Sequence, residues 1–148
     1  MRCKICEIIS KIKKGLNKNF IKEFNTGYLV LEDYQYFKGY VIFISKIHKQ
    51  ELHQLSYTYK KNFLLEMAYI AEIIYKIFKP KKINYELLGN KYSHLHWHII
   101  PRYKNEKLNN KPIWIIPEDI RKKNYLSNED RNKIIKKIRE AFFSNLQY

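Results

Sequence analysis

A chain of 148 residues is enough for one domain, and 45% hydrophobic with 16% aromatic residues is the composition of a folded, not a disordered, protein. The longest apolar stretch, around Ile70 to Phe78, is broken by Glu72, Tyr75 and Lys76, too short and polar for a membrane span, and the opening Met1-Arg2-Cys3-Lys4 lacks the apolar run of a secretory signal. The net charge of +15 excludes little: it fits compositional drift, since Lys far outnumbers Arg, or a positive surface that gathers phosphate ligands or nucleic acid.

The expected location is therefore cytoplasmic, and residues 1–148 read as a single domain with no linker and no internal repeat. Cys3 and Cys6 form a Cys-x-x-Cys pair. Without a secretory signal a structural disulfide is disfavoured, and no strand-then-helix pattern surrounds the pair as in a thioredoxin-like motif. Half of a zinc site is the better reading, given two further ligands.

Thr26 to Asp33 reads as a strand, Tyr34 to Gly39 as a turn, and Tyr40 to Ser45 as a second, β-branched strand. Ser56 or Thr58 can cap a long helix with Phe63, Met67, Ile70, Ile74, Ile77 and Phe78 at helical spacing, stopped at Lys79-Pro80. Ile83 to Leu88 is a third strand, Gly89-Asn90-Lys91 a turn, and Leu95 to Arg102 a fourth strand. Tyr103 to Ile120 reads as an extended loop anchored by Trp114. Ser127 with Asp130 resembles a capping box for an amphipathic helix over about 127–146 through Ile134, Ile135, Ile138 and Phe142. Strands joined by short turns, with one long helix inserted, predict an α+β fold: an antiparallel sheet of about five strands with helices on one face.

His94, His96 and His98 stand at i, i+2 and i+4. On a strand all three share a face, while Leu95, Trp97 and Ile99 point to the other and can be buried. Imidazole changes charge near neutrality, so such a row is concentrated chemistry. A neutral ring can attack phosphorus and form a phosphoramidate. Alternatively, His-x-His can hold a catalytic metal with a third ligand from elsewhere, or the rings can lie idle on an exposed strand.

The run from Asn84 to Tyr103, with Gly89-Asn90 before the histidines and Ile99-Ile100-Pro101-Arg102 after them, resembles the signature of the histidine-triad (HIT) family. Gly39 to His48 and Glu51-Leu52 resemble its earlier strand, and Pro112-Ile113-Trp114 is similar to a bacterial branch containing diadenosine tetraphosphate hydrolases. The likeness runs in order over about residues 3–117. It implies a nucleotide, expected to be an adenine nucleotide, bound with its α-phosphate at the triad. His96 matches the nucleophile that becomes a nucleotidyl-histidine, His98 the residue that contacts phosphoryl oxygens and aids the leaving group, and His94 the supporting histidine. Asn90 matches an amide near the α-phosphate, Asn84 one beside the phosphates or ribose, and Asp33 a carboxylate that meets the ribose, while Lys46 and Lys91 either add positive charge or are solvated lysines.

Many members carry Gly-His where this chain has Gly39-Tyr40, so the Tyr40 hydroxyl either replaces that histidine as a hydrogen-bond partner or leaves the position inactive. Some relatives, the uridylyltransferase branch among them, bind zinc in a way that implies Cys3, Cys6, His48 and His94 here, a Cys2His2 set suited to tetrahedral zinc. His53 reads as a surface residue. The resemblance implies a hydrolase of dinucleoside polyphosphates or nucleoside phosphoramidates, or alternatively a nucleotidyltransferase or phosphorylase, and commonly a homodimer. A non-catalytic module that binds nucleotides or nucleic acid is the reading from another class. The loop from Tyr103 to Trp114 is expected to shape selectivity.

Overall fold

The computed structural model describes residues 3–106 and 110–144. Five strands, β1 (Phe20–Glu23), β2 (Gly27–Leu31), β3 (Val41–Ser45), β4 (Lys82–Glu86) and β5 (His96–Arg102), form one antiparallel sheet in the order β1-β2-β3-β5-β4. The four strands expected from sequence are β2 to β5, with ends shifted by at most two residues. The edge strand β1 is an addition, short and irregular between Phe20 and Lys22.

Alternation along the strands sorts the two faces of this sheet. Leu29, Leu31, Val41, Phe43 and Ile99 are buried against the long helix α2 (Tyr57–Phe78) and the last described helix, α4 (Asn128–Ser144). Phe63, Ile70 and Ile74 on α2 and Ile138 on α4 are fully buried, each burial contributing roughly 1.5–3 kcal/mol relative to exposure. Ser56 caps α2 by accepting from the Tyr59 amide, and Lys79, at φ 49°, ends it in the left-handed region before Pro80. Ser127 accepts from the Asp130 amide at 3.0 Å and donates its hydroxyl to the Asp130 carboxylate at 2.7 Å. The final helix stops at Ser144 within the described residues, and the last part of the expected 127–146 span lies outside them.

The opposite face carries Tyr28, Val30, Ile42 and Ile44. A first helix, α1 (Lys4–Lys13), lays Ile5, Ile9 and Ile12 over part of it. The helices therefore divide between the faces, α2 and α4 on one and α1 on the other. The rest of that second face is left for the histidines.

After β5 the expected extended loop gives way to a 3-10 turn, Ile113–Ile115, and a short helix, α3 (Glu118–Lys122). Pro112 and Pro117 stand immediately before these turns, where the fixed φ of proline favours helical entry. Residues 107–109 of the loop lie outside the described set. Among the described residues no helix is long and apolar enough to cross a membrane.

Candidate active site

The ladder between β3 and β5 pairs Ile44 with His96 and Ile42 with His98, so both rings stand on the face that α1 only partly covers. His94 comes before the strand begins, yet it is only 1% exposed. Its Nε2 donates to the Ser45 carbonyl at 2.9 Å. His96 donates from Nδ1 to the carbonyl of His94 at 2.5 Å, which leaves the lone pair on Nε2. Two neighbouring histidines thus have opposite tautomers, each set by a backbone carbonyl.

His98 is held differently. The Tyr40 hydroxyl lies 2.6 Å from His98 Nδ1, and the tautomer with the ring hydrogen on Nε2 lets the hydroxyl donate to Nδ1. Burial, aided by nearby Glu32 and Glu86, pushes the Tyr40 hydroxyl well above its ordinary value and keeps it a donor. Burial likewise lowers all three triad histidines, His98 down to about 4 with help from His96. All three are neutral at neutral pH. Tyr40 reaches this position through Gly39, whose φ of +88° and contact with the Phe78 ring leave no room for a side chain. Gln35 ties the turn together, donating to the Glu32 and Tyr40 carbonyls and accepting from the Gly39 amide.

His96, His98, Tyr40, Asp33, Asn90 and Lys91 all border a single cavity of about 690 Å³. This is within the size range of small-molecule sites. Its floor and one wall are apolar, built from Val30, Ile42 and Ile44 of the sheet and Ile5 and Ile8 of α1. Asp33 accepts from the Asn19 amide at 2.9 Å and lies 3.6 Å from the buried Arg131 guanidinium. Asn84 does not border the cavity: its Oδ1 accepts from Arg102 Nη1 at 2.7 Å. Lys46 is also outside it, paired with Glu23 at 2.6 Å.

Glu86 and Arg121 also contribute without a sequence signal, and Trp114, expected as the anchor of the loop, meets the triad directly. Glu86 is the cross-strand neighbour of His98, and its carboxylate accepts from the Trp114 indole N–H. That bond sets the Trp114 ring edge-on to His98, with centroids 5.6 Å apart. Arg121 of α3 closes the same wall. The Ile5-Ile8-Ile9-Ile12 spacing is a readable helical signal for α1, whereas nothing local in the sequence places α3 over the sheet.

Beside the cavity, Cys3, Cys6, His48 and His94 bring one donor atom each to within 4.8 Å of one another. His94 Nδ1 is 3.1 Å from His48 Nδ1, 3.6 Å from Cys6 Sγ and 3.8 Å from Cys3 Sγ, and Cys6 Sγ is 3.3 Å from His48 Nδ1. Around a tetrahedral zinc with ordinary bond lengths these separations would be about 3.3–3.8 Å. The donor types and spacings fit a metal. The Ser45 carbonyl supplies the outer contact that turns His94 Nδ1 toward the cluster. Burial first, and then Cys3, push the Cys6 thiol up, a bias that a bound cation would reverse. His53 is exposed and apart from this group.

The family model described as HIT domain matches residues 8–105. A histidine triad protein from Bradyrhizobium japonicum shares the fold at a TM-score of 0.73 and 17% identity, covering 89% of this chain and 94% of that one. A hypothetical histidine triad nucleotide-binding protein from Sulfolobus tokodaii does so at 0.72 and 20%, covering 94% and 93%. The Plasmodium falciparum diadenosine triphosphate hydrolase, solved with cyclomarin A, gives 0.65 and 14%, covering 86% and 78%. No curated protein matches the sequence significantly.

Proposed function

This chain belongs to the HIT family, and from that premise we propose that it is a hydrolase acting at the α-phosphate of dinucleoside polyphosphates or nucleoside phosphoramidates through a covalent nucleotidyl-histidine. The observation that carries this reading is the His96 ring, tied at Nδ1 to the His94 carbonyl and bordering the cavity. Nε2 then presents a lone pair that burial keeps unprotonated.

Nε2 forms a bond to the α-phosphorus while the bond from phosphorus to the leaving group breaks, and the leaving group takes the electron pair. A phosphate leaving group is a stable anion at neutral pH and departs without a proton, whereas a departing amine takes up one proton from solvent, balanced by the proton that the attacking water later releases. The imidazolium that results keeps its Nδ1–H on the His94 carbonyl. His98, with its hydrogen on Nε2, donates to a phosphoryl oxygen or to the departing atom. Water then attacks phosphorus, the phosphorus–nitrogen pair returns to Nε2, and the proton lost by water passes to solvent. A nucleoside monophosphate is released and His96 is restored. The apolar wall suits a base, here expected to be adenine, with Asp33 positioned for ribose hydroxyls and Asn90 and Lys91 for phosphate oxygens.

Cys3, Cys6, His48 and His94 are the residues that would hold zinc. Zinc there would supply a structural cross-link between the N-terminus and the segment that carries His96. Exposed Tyr57, Leu65 and Tyr75 on α2 support a homodimer, which a monomer mass by light scattering at micromolar concentration would contradict.

The test is turnover of diadenosine tetraphosphate and adenosine 5′-phosphoramidate, followed by chromatography. Wild type is expected to release AMP and His96→Ala to release none. Tight nucleotide binding without turnover of either substrate would favour a non-catalytic binding module.

A further inference from the structure

The cavity has two unlike walls, and of the second the reading above uses only Lys91. Facing it are Trp114, Glu118, Arg121 and Lys122 from the segment after the 3-10 turn, with Lys91 from the turn before β5. Everything in this wall from Trp114 onward lies beyond residue 105, where the family match ends. Three cations stand there against one carboxylate, and that carboxylate, Glu118, is paired with Lys122 at 2.7 Å. Lys91 is also within electrostatic reach of Glu118.

Arg121 is the most firmly placed of these cations. Its Nε donates to the Ile116 carbonyl at 3.2 Å, and its guanidinium lies over the Trp114 ring at 5.1 Å. Trp114 is fixed in turn by Glu86 and meets His98 edge-on. The guanidinium is thus one aromatic ring away from the imidazole that faces the leaving group. An arginine held over a ring and fixed at Nε has its terminal amino groups restricted in orientation. That arrangement suits phosphate, whose oxygens accept from guanidinium in pairs. On the β2 side, Asp33 is engaged by Asn19 and Arg131, and Glu32 lies within electrostatic reach of Arg121.

We propose that Arg121, supported by Lys122 and Lys91, is the subsite for the phosphates beyond the scissile bond. The preferred substrate then has a nucleoside polyphosphate as its leaving group, in place of an uncharged amine. The proposal rests on the reading that His96 attacks the α-phosphate. The apolar wall takes the nucleoside that becomes the monophosphate, and the cationic wall takes the chain that departs with the electron pair of the broken phosphorus–oxygen bond.

The experiment compares kcat/KM for diadenosine tetraphosphate and for adenosine 5′-phosphoramidate, which share the attacked phosphate and differ in the leaving group. Arg121→Ala and Arg121→Met are assayed beside wild type, the Met variant keeping an unbranched stem on Trp114. Lys133→Ala removes one positive charge from the remote α4 as a control for bulk charge. Loss of a charge-assisted contact predicts a fall of about ten- to a hundredfold on the tetraphosphate in both variants. The phosphoramidate should change by less than about threefold on the same grounds, since it makes no such contact, and Lys133→Ala should leave the ratio unaltered. Equal losses on both substrates, or no loss on either, would overturn the proposal while leaving His96 catalysis standing. So would a wild type that turns over the phosphoramidate alone. Turnover of neither substrate by wild type would remove the α-phosphate reading, and this proposal with it.

Discussion

His94 and His96 are two residues apart, both buried, and built from the same side chain, yet they stand in different chemical regions. His94 gives its Nε2–H to the Ser45 carbonyl and turns Nδ1 toward two thiols and a second imidazole. His96 gives its Nδ1–H to the His94 carbonyl and keeps Nε2 for the cavity. The donor cluster is a closed set of four ligands, whereas the cavity end has an open position beside His98. A backbone carbonyl, by choosing which ring nitrogen it occupies, decides which nitrogen stays free to face the donor cluster or the cavity. The two regions are also joined, because the acceptor that fixes His96 is the main chain of His94.

Removing His96 should have the largest effect. His96→Ala is expected to cut turnover by on the order of 10⁴-fold or more, as loss of a nucleophile does, while leaving metal content unchanged. Cys6→Ala probes the other region. It should lose the metal, as read by elemental analysis of untagged protein, lower the unfolding midpoint, and reduce turnover by only about 10–100-fold, the usual scale for an outer contact. The His94 carbonyl survives in that variant, so a loss as deep as that of His96→Ala would erase the distinction between the regions.

Tyr40→Phe should be milder, about tenfold in kcat, because it removes one hydrogen bond to His98 without touching the nucleophile. Unchanged kinetics in that variant would mean that His98 needs no partner at Nδ1. The subtlest test is of pH. His98 is lowered by burial and by His96 to about 4 from an ordinary 6.5. A histidine lowered on folding contributes stability that is present above pH 6.5 and lost as pH falls toward 4. Across that window the unfolding midpoint of wild type should fall relative to that of His98→Gln, and parallel curves would show a ring that titrates normally.

Much of this was legible in the sequence, because alternation is a local property. Leu95, Trp97 and Ile99 pack toward the helices while His96 and His98 face away, as a period of two requires. Ser56 and Ser127 cap the helices they precede. Less legible was whatever depends on distant partners. Asn84 stands on the strand beside the triad, but the Arg102 guanidinium engages it. Arg131, in the first turn of an amphipathic helix, carries no local sign of burial, and it is 1% exposed and bonded to Asn128 and the Leu126 carbonyl. The four-residue β1 exists through pairing with β2 and through Arg139, which donates to the Phe20 and Ile21 carbonyls from α4. The folding of α3 over the cavity follows from two prolines and from Trp114 meeting Glu86, a contact between residues 28 positions apart.

The central claim is that His96 becomes covalently nucleotidylated, and the most direct measurement is intact-protein mass after brief exposure to diadenosine tetraphosphate, quenched in acid and returned quickly to neutral pH. The wild type should show a transient gain of one adenylyl group, formed and lost in step with product release and absent from His96→Ala. Full turnover with no adduct at any time, or an adduct that persists when His96 is replaced, would contradict it.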